Sequence, residues 1–514
     1  MPEILIYLRG YKRLRSRKVL LNSSVGLIRE AVNMICGFLL PWLIISNFGS
    51  NYNGLTASIL QFLNTIVLLK AGIAAVTRAA LYKPLAENNI TKISEILCAT
   101  MLFMKKIALI FAACLICFAI LYPFIIDGEF GWLFTFSLVL IMGTSTVIQN
   151  YLGITYQMLL LADQRNYIYS VIQIITIILS TIVTVIIINL GGSIHIVQLG
   201  ITAVYTLNPI LLILYVHKHY HIIKNVTPDL SAISQRWSAF TQEIAVFVNN
   251  NTDLVILTIF STVWQISVYT VYYLVVNGIR TLILTLSGGI GAALGNMIAN
   301  KENKALSENF RVYEFFLFTA ATIAFTCTAL LIVPFVMVYT KGVNDVNYYR
   351  PLFGYMVSVS MFFYCIRIPY DDLVEAVGHF KQTRNGAIFE SLMNISISII
   401  FVQKLGLIGV TIGTLCAMVF RTFQYAIYSS KHILNRSIGV VIKRLLSSIA
   451  EAATIVFLVS LIPNFEISNY FMWGLRAIEV FIIAIVVVFF YKFIFFKSEL
   501  LLFIRKISIA MRRI

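Results

Sequence analysis

The sequence predicts an all-α polytopic membrane protein with about fourteen transmembrane helices. Hydrophobic residues make up 59% of the 514 residues, charged residues make up only 12%, and the mean hydropathy is +0.88. A hydrocarbon core about 30 Å thick requires roughly 20 apolar residues per helix. Runs of that length follow one another almost without a break, so we expect no soluble domain.

Short polar segments interrupt the apolar runs and set the ends of each predicted span. The predicted spans are Val25–Ser46, Leu55–Thr77, Lys105–Ile126, Trp132–Leu161, Tyr167–Leu190, Ile194–Val216, Ala239–Ser261, Trp264–Ile298, Tyr313–Tyr339, Pro351–Val374, Asn385–Val402, Leu405–Tyr428, Leu445–Leu461 and Phe471–Phe496. The even count places both termini on the same side of the membrane.

Positive charge alternates between the two ends of successive spans. Connections on the side of the basic N-terminus hold most of the Lys and Arg residues, whereas the other side holds only Lys341, Arg350 and Lys404. The positive-inside rule therefore assigns both termini to the cytoplasm. A net charge of +17 spread in this way does not form the single basic patch of a nucleic-acid-binding protein, so no nucleic-acid partner is expected.

A basic linker at residues 217–238 divides the spans into two pseudo-symmetric six-helix bundles. Leu161–Tyr167 follows span four and Val377–Asn385 follows span ten, and each precedes a helix, a glycine turn and a further helix, as in the parallel repeats of a transporter. The predicted organisation is a basic cytoplasmic or interfacial segment at 1–22, bundles at 23–216 and 239–428, two additional transmembrane helices at 429–496, and a basic cytoplasmic tail at 497–514.

The connections on the outer side are too short to hold a catalytic domain. Asn47–Gly54, Gly191–Ser193 and Gln403–Lys404 contain only a few residues each. The seven cysteines lie in or beside apolar runs without the surroundings of a zinc site. We therefore expect no catalytic residues, no metal and no cofactor. One alternative stays open: a membrane-embedded enzyme of glycan assembly, for which His195 is the candidate histidine.

Five cations lie inside predicted spans: Arg29, Lys70, Arg280, Arg367 and Arg421. A charge at the centre of a membrane helix costs at least about 2.5 to 3.5 kcal/mol, so it usually faces a polar cavity or a partner. A cavity between the two bundles would bring several of these cations together. For the shallower ones, snorkelling to the interface is the alternative. Because arginine binds phosphate oxygens bidentately, the set favours a pyrophosphate ligand over a carboxylate.

Three acidic residues are candidates for ion coupling. Glu30 directly follows the arginine of span one, Asp253 belongs to a polar island in span seven, and Glu243 lies about three turns before that island. They could exchange protons or bind sodium, and the alternative is a satisfied polar seam between helices. By contrast, Arg476 and Glu479 are spaced as a structural i,i+3 ion pair.

Four segments resemble a known family: Leu27–Ala31, Asn251–Leu257, Ala376–Thr383 and Phe401–Thr414. They resemble the polysaccharide-transporter branch of the multidrug, oligosaccharidyl-lipid and polysaccharide exporter superfamily, whose members flip undecaprenyl-pyrophosphate-linked oligosaccharides. The resemblance implies two six-helix bundles that rock between inward-open and outward-open states. It also implies pyrophosphate contacts for Arg29, Arg280 and Lys70, whereas the same role for Arg367 and Arg421 is inferred from their depth.

The function that the resemblance implies is transport of lipid-linked repeat units from the cytoplasmic to the outer leaflet of a bacterial inner membrane, for O-antigen, capsule or exopolysaccharide assembly. The implied partners are the polyprenyl-pyrophosphate-linked oligosaccharide, the lipid bilayer, and a polysaccharide polymerase with its chain-length machinery. The main rival is a cation-coupled multidrug exporter of the same superfamily, which five intramembrane cations disfavour. The sugars carried, and a driving force from H+, Na+ or membrane potential, stay open.

Overall fold

The computed structural model describes residues 2–67, 71–126, 130–223, 226–233, 252–287, 290, 294, 297–298, 302–463 and 466–511. All the regular secondary structure within these residues is helical. The all-α membrane fold that the sequence predicts is therefore confirmed. The chain forms two compact units, Met1–Ser267 and Val268–Ile514, which are called here the first and second unit.

The described part of the first unit consists of the helices given next, a helical stretch at residues 252–260, and short connecting turns. The helices are α1 Pro2–Phe48, α2 Ser50–Val67, α3 Ala71–Ala86, α4 Ile90–Ile125, α5 Trp132–Ile148, α6 Ile154–Ala162, α7 Asn166–Asn189 and α8 Ile194–His219. The basic segment at 1–22 is not a separate element, because α1 continues through it into the first span. A π-helical turn, Gln149–Gly153, joins α5 to α6 inside the predicted fourth span.

The second unit contains the remaining helices. These are α9 Val263–Ser287, which begins in the first unit, α10 Asn303–Tyr339, α11 Pro351–Val377, α12 Phe380–Leu405, α13 Leu407–His432, α14 Gly439–Ser460, α15 Tyr470–Phe495 and α16 Lys497–Met511. Pro351 begins α11, where its fixed φ angle suits the first helical turn. Gly378, with φ +77°, ends the same helix.

Eleven helices of the described part are long and apolar enough to cross a membrane, and each matches one predicted span. The three other predicted spans differ. Span two is divided between α2 and α3, with residues 68–70 outside the described part. Span seven is described only from residue 252. Span thirteen corresponds to α14, whose 22 residues include Lys443, Arg444 and Glu451.

The polar turns at corresponding positions of the two units make the same kind of contact. After α6, Asp163 accepts a hydrogen bond from Tyr220 at the end of α8. After α11, His379 Nδ1 lies 2.9 Å from the Tyr428 hydroxyl near the end of α13. The turn before α7 thus contacts the end of α8, and the turn before α12 contacts the end of α13. An internal repeat would produce such equivalent contacts.

The linker after α8 is docked on the first unit in its described part. The Ile223 backbone N–H donates to Ser94 Oγ at 3.0 Å, and Lys92 Nζ contacts Asp229 Oδ2 at 2.9 Å. Ile233, in a short 3-10 turn, is fully buried. The described part of the linker is therefore held against the first unit at Ile223, Asp229 and Ile233.

Helix α16 is docked on α10 in the second unit. Leu500 is buried, the Phe503 ring stacks on Phe316 with centroids 5.6 Å apart, and Lys506 donates to Asn309 Oδ1. Leu501 and Ile504, on another face of α16, are exposed. The basic tail of the sequence is therefore helical up to Met511, and its residues 500–506 present one packed face and one exposed face.

Candidate functional site

Arg280 lies on α9 and makes its main contact with an aromatic ring of α11. Its guanidinium carbon lies 4.3 Å from the centroid of the Tyr364 ring, and its Nη2 donates to the Tyr364 hydroxyl at 3.2 Å. Asn277, one turn earlier, accepts from Nη1 at 3.3 Å. The buried Nε has no hydrogen-bond partner. Among the described residues, Arg280 forms no ion pair with a carboxylate.

Arg367 approaches the same ring from α11 itself. Its guanidinium carbon lies 4.9 Å from the Tyr364 centroid, and its Nη1 donates to Glu390 Oε1 on α12 at 2.7 Å. Guanidinium groups are attracted to the electron-rich faces of aromatic rings, so Tyr364 can hold two cations close together. Arg280 and Arg367 are therefore neighbours that share one platform.

Arg421, on α13, is almost completely enclosed. Its Nε lies 3.3 Å from Glu390 Oε2, its Nη1 donates to the Thr383 carbonyl at 3.0 Å, and its Nη2 donates to the Tyr425 hydroxyl at 2.7 Å. Gln424 accepts a further hydrogen bond from Nη1. Arg421 is 5% exposed, and its contacts with the protein leave its donors little capacity for a ligand.

These side chains form one group, the arginine cluster, which consists of Arg280, Tyr364, Arg367, Glu390 and Arg421. Asp371 is a further carboxylate that interacts with Arg367 and Tyr425. Among the described residues, two carboxylates, Glu390 and Asp371, thus interact with guanidiniums of the cluster. The arginine cluster and Asp371 together carry one net positive charge. The sequence predicted the three cations from their depth, and the second unit brings them together.

Arg29, in the first unit, has partners of its own. It forms an ion pair with the adjacent Glu30, and its Nη1 donates to Gln173 Oε1 on α7 at 3.3 Å. Gln173 in turn donates to the Tyr169 hydroxyl at 2.7 Å. Arg29 therefore binds the first span to α7 through a polar contact, and both Arg29 and Glu30 stay partly exposed.

Of the other predicted site residues, the structure describes Asp253, whereas Lys70 and Glu243 lie outside the described residues. Asp253 lies on the helical stretch 252–260, where it is half-buried. In the described part of the chain, no group of three or more His, Cys, Asp or Glu residues could hold a metal ion.

A second ionic cluster in the second unit was not predicted. Glu314 on α10 is fully buried and contacts both guanidinium ends of Arg436, the Nε of Arg444 and the hydroxyl of Tyr370. Glu314 is visible in the sequence as an acidic residue in a span, but Arg436 is 122 positions away. Nothing in local spacing links the two.

Two further ion pairs hold the last transmembrane helices. Lys492 Nζ on α15 contacts Glu451 Oε1 on α14 at 2.7 Å, and both are buried. Arg476 Nη1 contacts Glu479 Oε2 at 2.8 Å, which confirms the predicted i,i+3 pair. These pairs lie on helices outside the six-helix repeat.

His195 is held by neighbouring structure in the first unit. Its Nε2 lies 2.9 Å from Ser137 Oγ and 3.1 Å from the Phe134 carbonyl oxygen, and its ring meets the Phe134 ring edge-on. These contacts give the ring a packing role between α5 and α8. They supply no support for a catalytic histidine.

The fold is similar to the folds of solved transporters of the multidrug, oligosaccharidyl-lipid and polysaccharide exporter superfamily, which is the fold that the sequence resemblance implied. The lipid II flippase MurJ, in an inward closed conformation, has the same fold, with a TM-score of 0.71 and 16% sequence identity over 94% of this chain and 100% of that chain.

Two transporters of that superfamily are also similar in fold. An inward-facing multidrug resistance MATE transporter gives a TM-score of 0.58 and 13% identity over 80% of this chain and 98% of that chain. A superfamily transporter from Pyrococcus furiosus, whose binding pocket is described as having reverse polarity, gives a TM-score of 0.56. Its sequence identity is 13%, over 82% of this chain and 96% of that chain. No family model and no curated protein sequence matches the chain. These likenesses establish the fold.

Proposed function

We propose that this protein is a flippase that moves undecaprenyl-pyrophosphate-linked oligosaccharides from the cytoplasmic to the outer leaflet by alternating access. The observation that carries the proposal is the pair of guanidiniums on the Tyr364 ring, one of which, Arg280, forms no ion pair among the described residues. A cation in a transmembrane helix is costly unless an anion accompanies it at some stage of function.

A pyrophosphate fits this arrangement better than a single carboxylate does. It offers two linked phosphate groups, and arginine forms bidentate hydrogen bonds with phosphate oxygens. Arg280 and Arg367 are adjacent, so the two phosphates can each meet one guanidinium. The fold of a lipid II flippase supports a lipid-linked substrate, because a flippase must carry a charged head group through the hydrocarbon layer.

We propose roles in transport for the other residues predicted from the sequence. Arg29 and Lys70 are proposed to contact the pyrophosphate during transport, and Arg421 is proposed to position Glu390. Glu30, Glu243 and Asp253 remain the proposed sites of proton or sodium coupling. We further propose that the protein works in a bacterial inner membrane beside a polysaccharide polymerase and its chain-length machinery.

A cation-coupled multidrug exporter is the second candidate, because the MATE transporters share the fold. Cationic drugs require acidic residues in the binding site, whereas the arginine cluster together with Asp371 carries one net positive charge among the described residues. The charge of the cluster therefore favours the anionic substrate. Drug efflux by cells that express the protein, measured beside translocation of a lipid-linked oligosaccharide, separates the two candidates.

The proposal is tested by replacing Arg280 in proteoliposomes that contain a fluorescent undecaprenyl-pyrophosphate-linked oligosaccharide. Hydrogen bonds to charged groups contribute about 1.5 to 3 kcal/mol, so Arg280→Ala should lower translocation about 10- to 100-fold. Arg280→Lys should retain part of the activity, because lysine keeps the charge but not the planar fork. Arg476→Ala, which removes an intramembrane arginine paired elsewhere, is the matched control. Full translocation by Arg280→Ala would contradict the proposal.

A further inference from the structure

Glu390 occupies a central place in the arginine cluster. Its Oε1 accepts from Arg367 Nη1 at 2.7 Å, and its Oε2 lies 3.3 Å from Arg421 Nε. The residue is only 5% exposed. Both carboxylate oxygens are thus engaged by guanidiniums, one from α11 and one from α13.

The two arginines that share Glu390 are held with very different strength. Arg421 has three further partners, namely the Thr383 carbonyl, Gln424 and the Tyr425 hydroxyl. Arg367 has Glu390 as its close hydrogen-bond acceptor, and its other interactions are with the weak acceptor Met418 Sδ at 3.8 Å, the face of Tyr364 and, electrostatically, Asp371. Arg421 therefore fixes Glu390 in place, whereas Arg367 is the partner that can exchange.

Exposure follows the same order along the cluster. Arg421 and Glu390 are each 6% exposed in their side chains, and the Arg367 side chain is 12% exposed. Arg280, beyond Tyr364, is partly exposed and lacks a carboxylate partner among the described residues. An anion that reaches the cluster would thus meet Arg280 first and Arg367 second.

We infer that Glu390 is an internal counter-anion that competes with the substrate for Arg367. In the unloaded protein it is the carboxylate directly paired with the buried Arg367, whose charge it neutralises together with the more distant Asp371. When a pyrophosphate binds at Arg280, its second phosphate replaces Glu390 at Arg367, and Arg421 retains Glu390. On release, Glu390 returns to Arg367 and favours departure of the head group. This inference rests on the proposed function and specifies how its anion site is regulated.

The competition predicts that removing the carboxylate strengthens binding and slows release. Glu390→Gln leaves Arg367 with a neutral neighbour, so a pyrophosphate no longer has to displace a charged group. A charge-assisted hydrogen bond is worth about 1.5 to 3 kcal/mol, which corresponds to about 10- to 100-fold tighter binding. Maximal translocation should fall, because the group that assists release is gone. A merely structural role would instead weaken binding and transport together.

The experiment uses the full-length protein in lipid nanodiscs, with inorganic pyrophosphate as the probe in isothermal titration calorimetry. The variants are Glu390→Gln and the double variant Glu390→Gln/Arg421→Gln, which keeps the net charge of the cluster and so protects the fold. Glu479→Gln, which neutralises another carboxylate paired with one intramembrane arginine, is the matched control. Thermal unfolding of each variant shows that it is folded, and proteoliposome translocation supplies half-saturation and maximal rate.

Tighter pyrophosphate binding by either Glu390 variant, with a lower half-saturation concentration and a lower maximal rate, supports the inference. Unchanged or weaker binding by both folded variants overturns it, provided that the wild type binds pyrophosphate and Arg280→Ala does not; the proposed function then stands. If neither the wild type nor any variant binds pyrophosphate, the anion site itself fails, and the proposed function and the inference fall together.

Discussion

Glu314 joins α10 to Arg436 and Arg444 in the second unit, and its replacement by glutamine tests how much this ionic cluster stabilises the unit. Removing one partner of a buried ion pair typically costs about 3 to 5 kcal/mol, because the other charge stays buried and uncompensated. Here Arg436 is 18% exposed in its side chain and can turn towards water, and Arg444 keeps a contact with Glu499 at 3.9 Å. The cost should therefore lie at the lower end, at about 3 kcal/mol.

That cost corresponds to a measurable shift in thermal unfolding. A unit of roughly 150 to 250 residues loses about 2 to 4 °C in Tm per kcal/mol, so Glu314→Gln should lower the Tm by about 6 to 12 °C. A maleimide dye that fluoresces on reacting with thiols reports unfolding of the chain, because Cys36 in the first unit and Cys327 and Cys365 in the second are buried. The assay is made on full-length protein in detergent.

Two controls separate the ion cluster from the general effect of losing a carboxylate. Glu302→Gln changes an exposed carboxylate just before α10 and should leave the Tm unchanged. The double variant Glu314→Gln/Arg436→Gln removes a cation together with its anion and should recover part of the loss. A Tm for Glu314→Gln within about 1 °C of the wild type would refute the reasoning, since that corresponds to well under 1 kcal/mol.

The remaining predictions concern the linker and a helix contact. Lys92 and the Ser231 hydroxyl hold the pKa of Asp229 down to about 2 from its ordinary 3.8, so this contact stabilises linker docking above about pH 4 and is lost as pH falls towards 2. Pepsin cleavage of the linker should rise over that interval, and Asp229→Asn should make the linker more sensitive to trypsin at pH 7; equal sensitivity would contradict the docking. A Cβ at Gly413 would lie 2.8 Å from the Asn394 carbonyl, so Gly413→Ala should destabilise the α12–α13 contact by about 1 to 3 kcal/mol, measurable as a lower Tm.

The fold could be predicted from the sequence because the lipid bilayer strongly restricts the backbone structures that can span it. Backbone polar groups must be satisfied within each spanning segment, so long apolar runs in this chain must be helices. Predicted span ends fall within a few residues of the observed ones for α7, α13 and α15. The π-helical turn at Gln149–Gly153 was missed, because it depends on how the helix packs and not on hydropathy.

The candidate site was predicted less completely than the fold. Depth along a span identified Arg280, Arg367 and Arg421, because an intramembrane charge is conspicuous in an apolar run. Glu390 was not identified as the shared partner of Arg367 and Arg421, since helix rotation and packing decide which side chains of α11, α12 and α13 meet. The contacts of the linker with the first unit were also not predicted. Its polar composition is typical of a loop, and its buried residue Ile233 is not distinguished by any local sequence pattern.

The docking of α16 has a practical consequence for anyone who purifies this protein. Leu500 and Phe503 cover apolar surface of α10, and Glu499 supplies a carboxylate to Arg444. Cutting the chain after the last transmembrane helix, or inserting a fluorescent fusion there, would uncover that surface in water and encourage aggregation. An affinity tag should therefore follow Met511, and tags placed nearer to Lys497 should lower the yield of monodisperse protein.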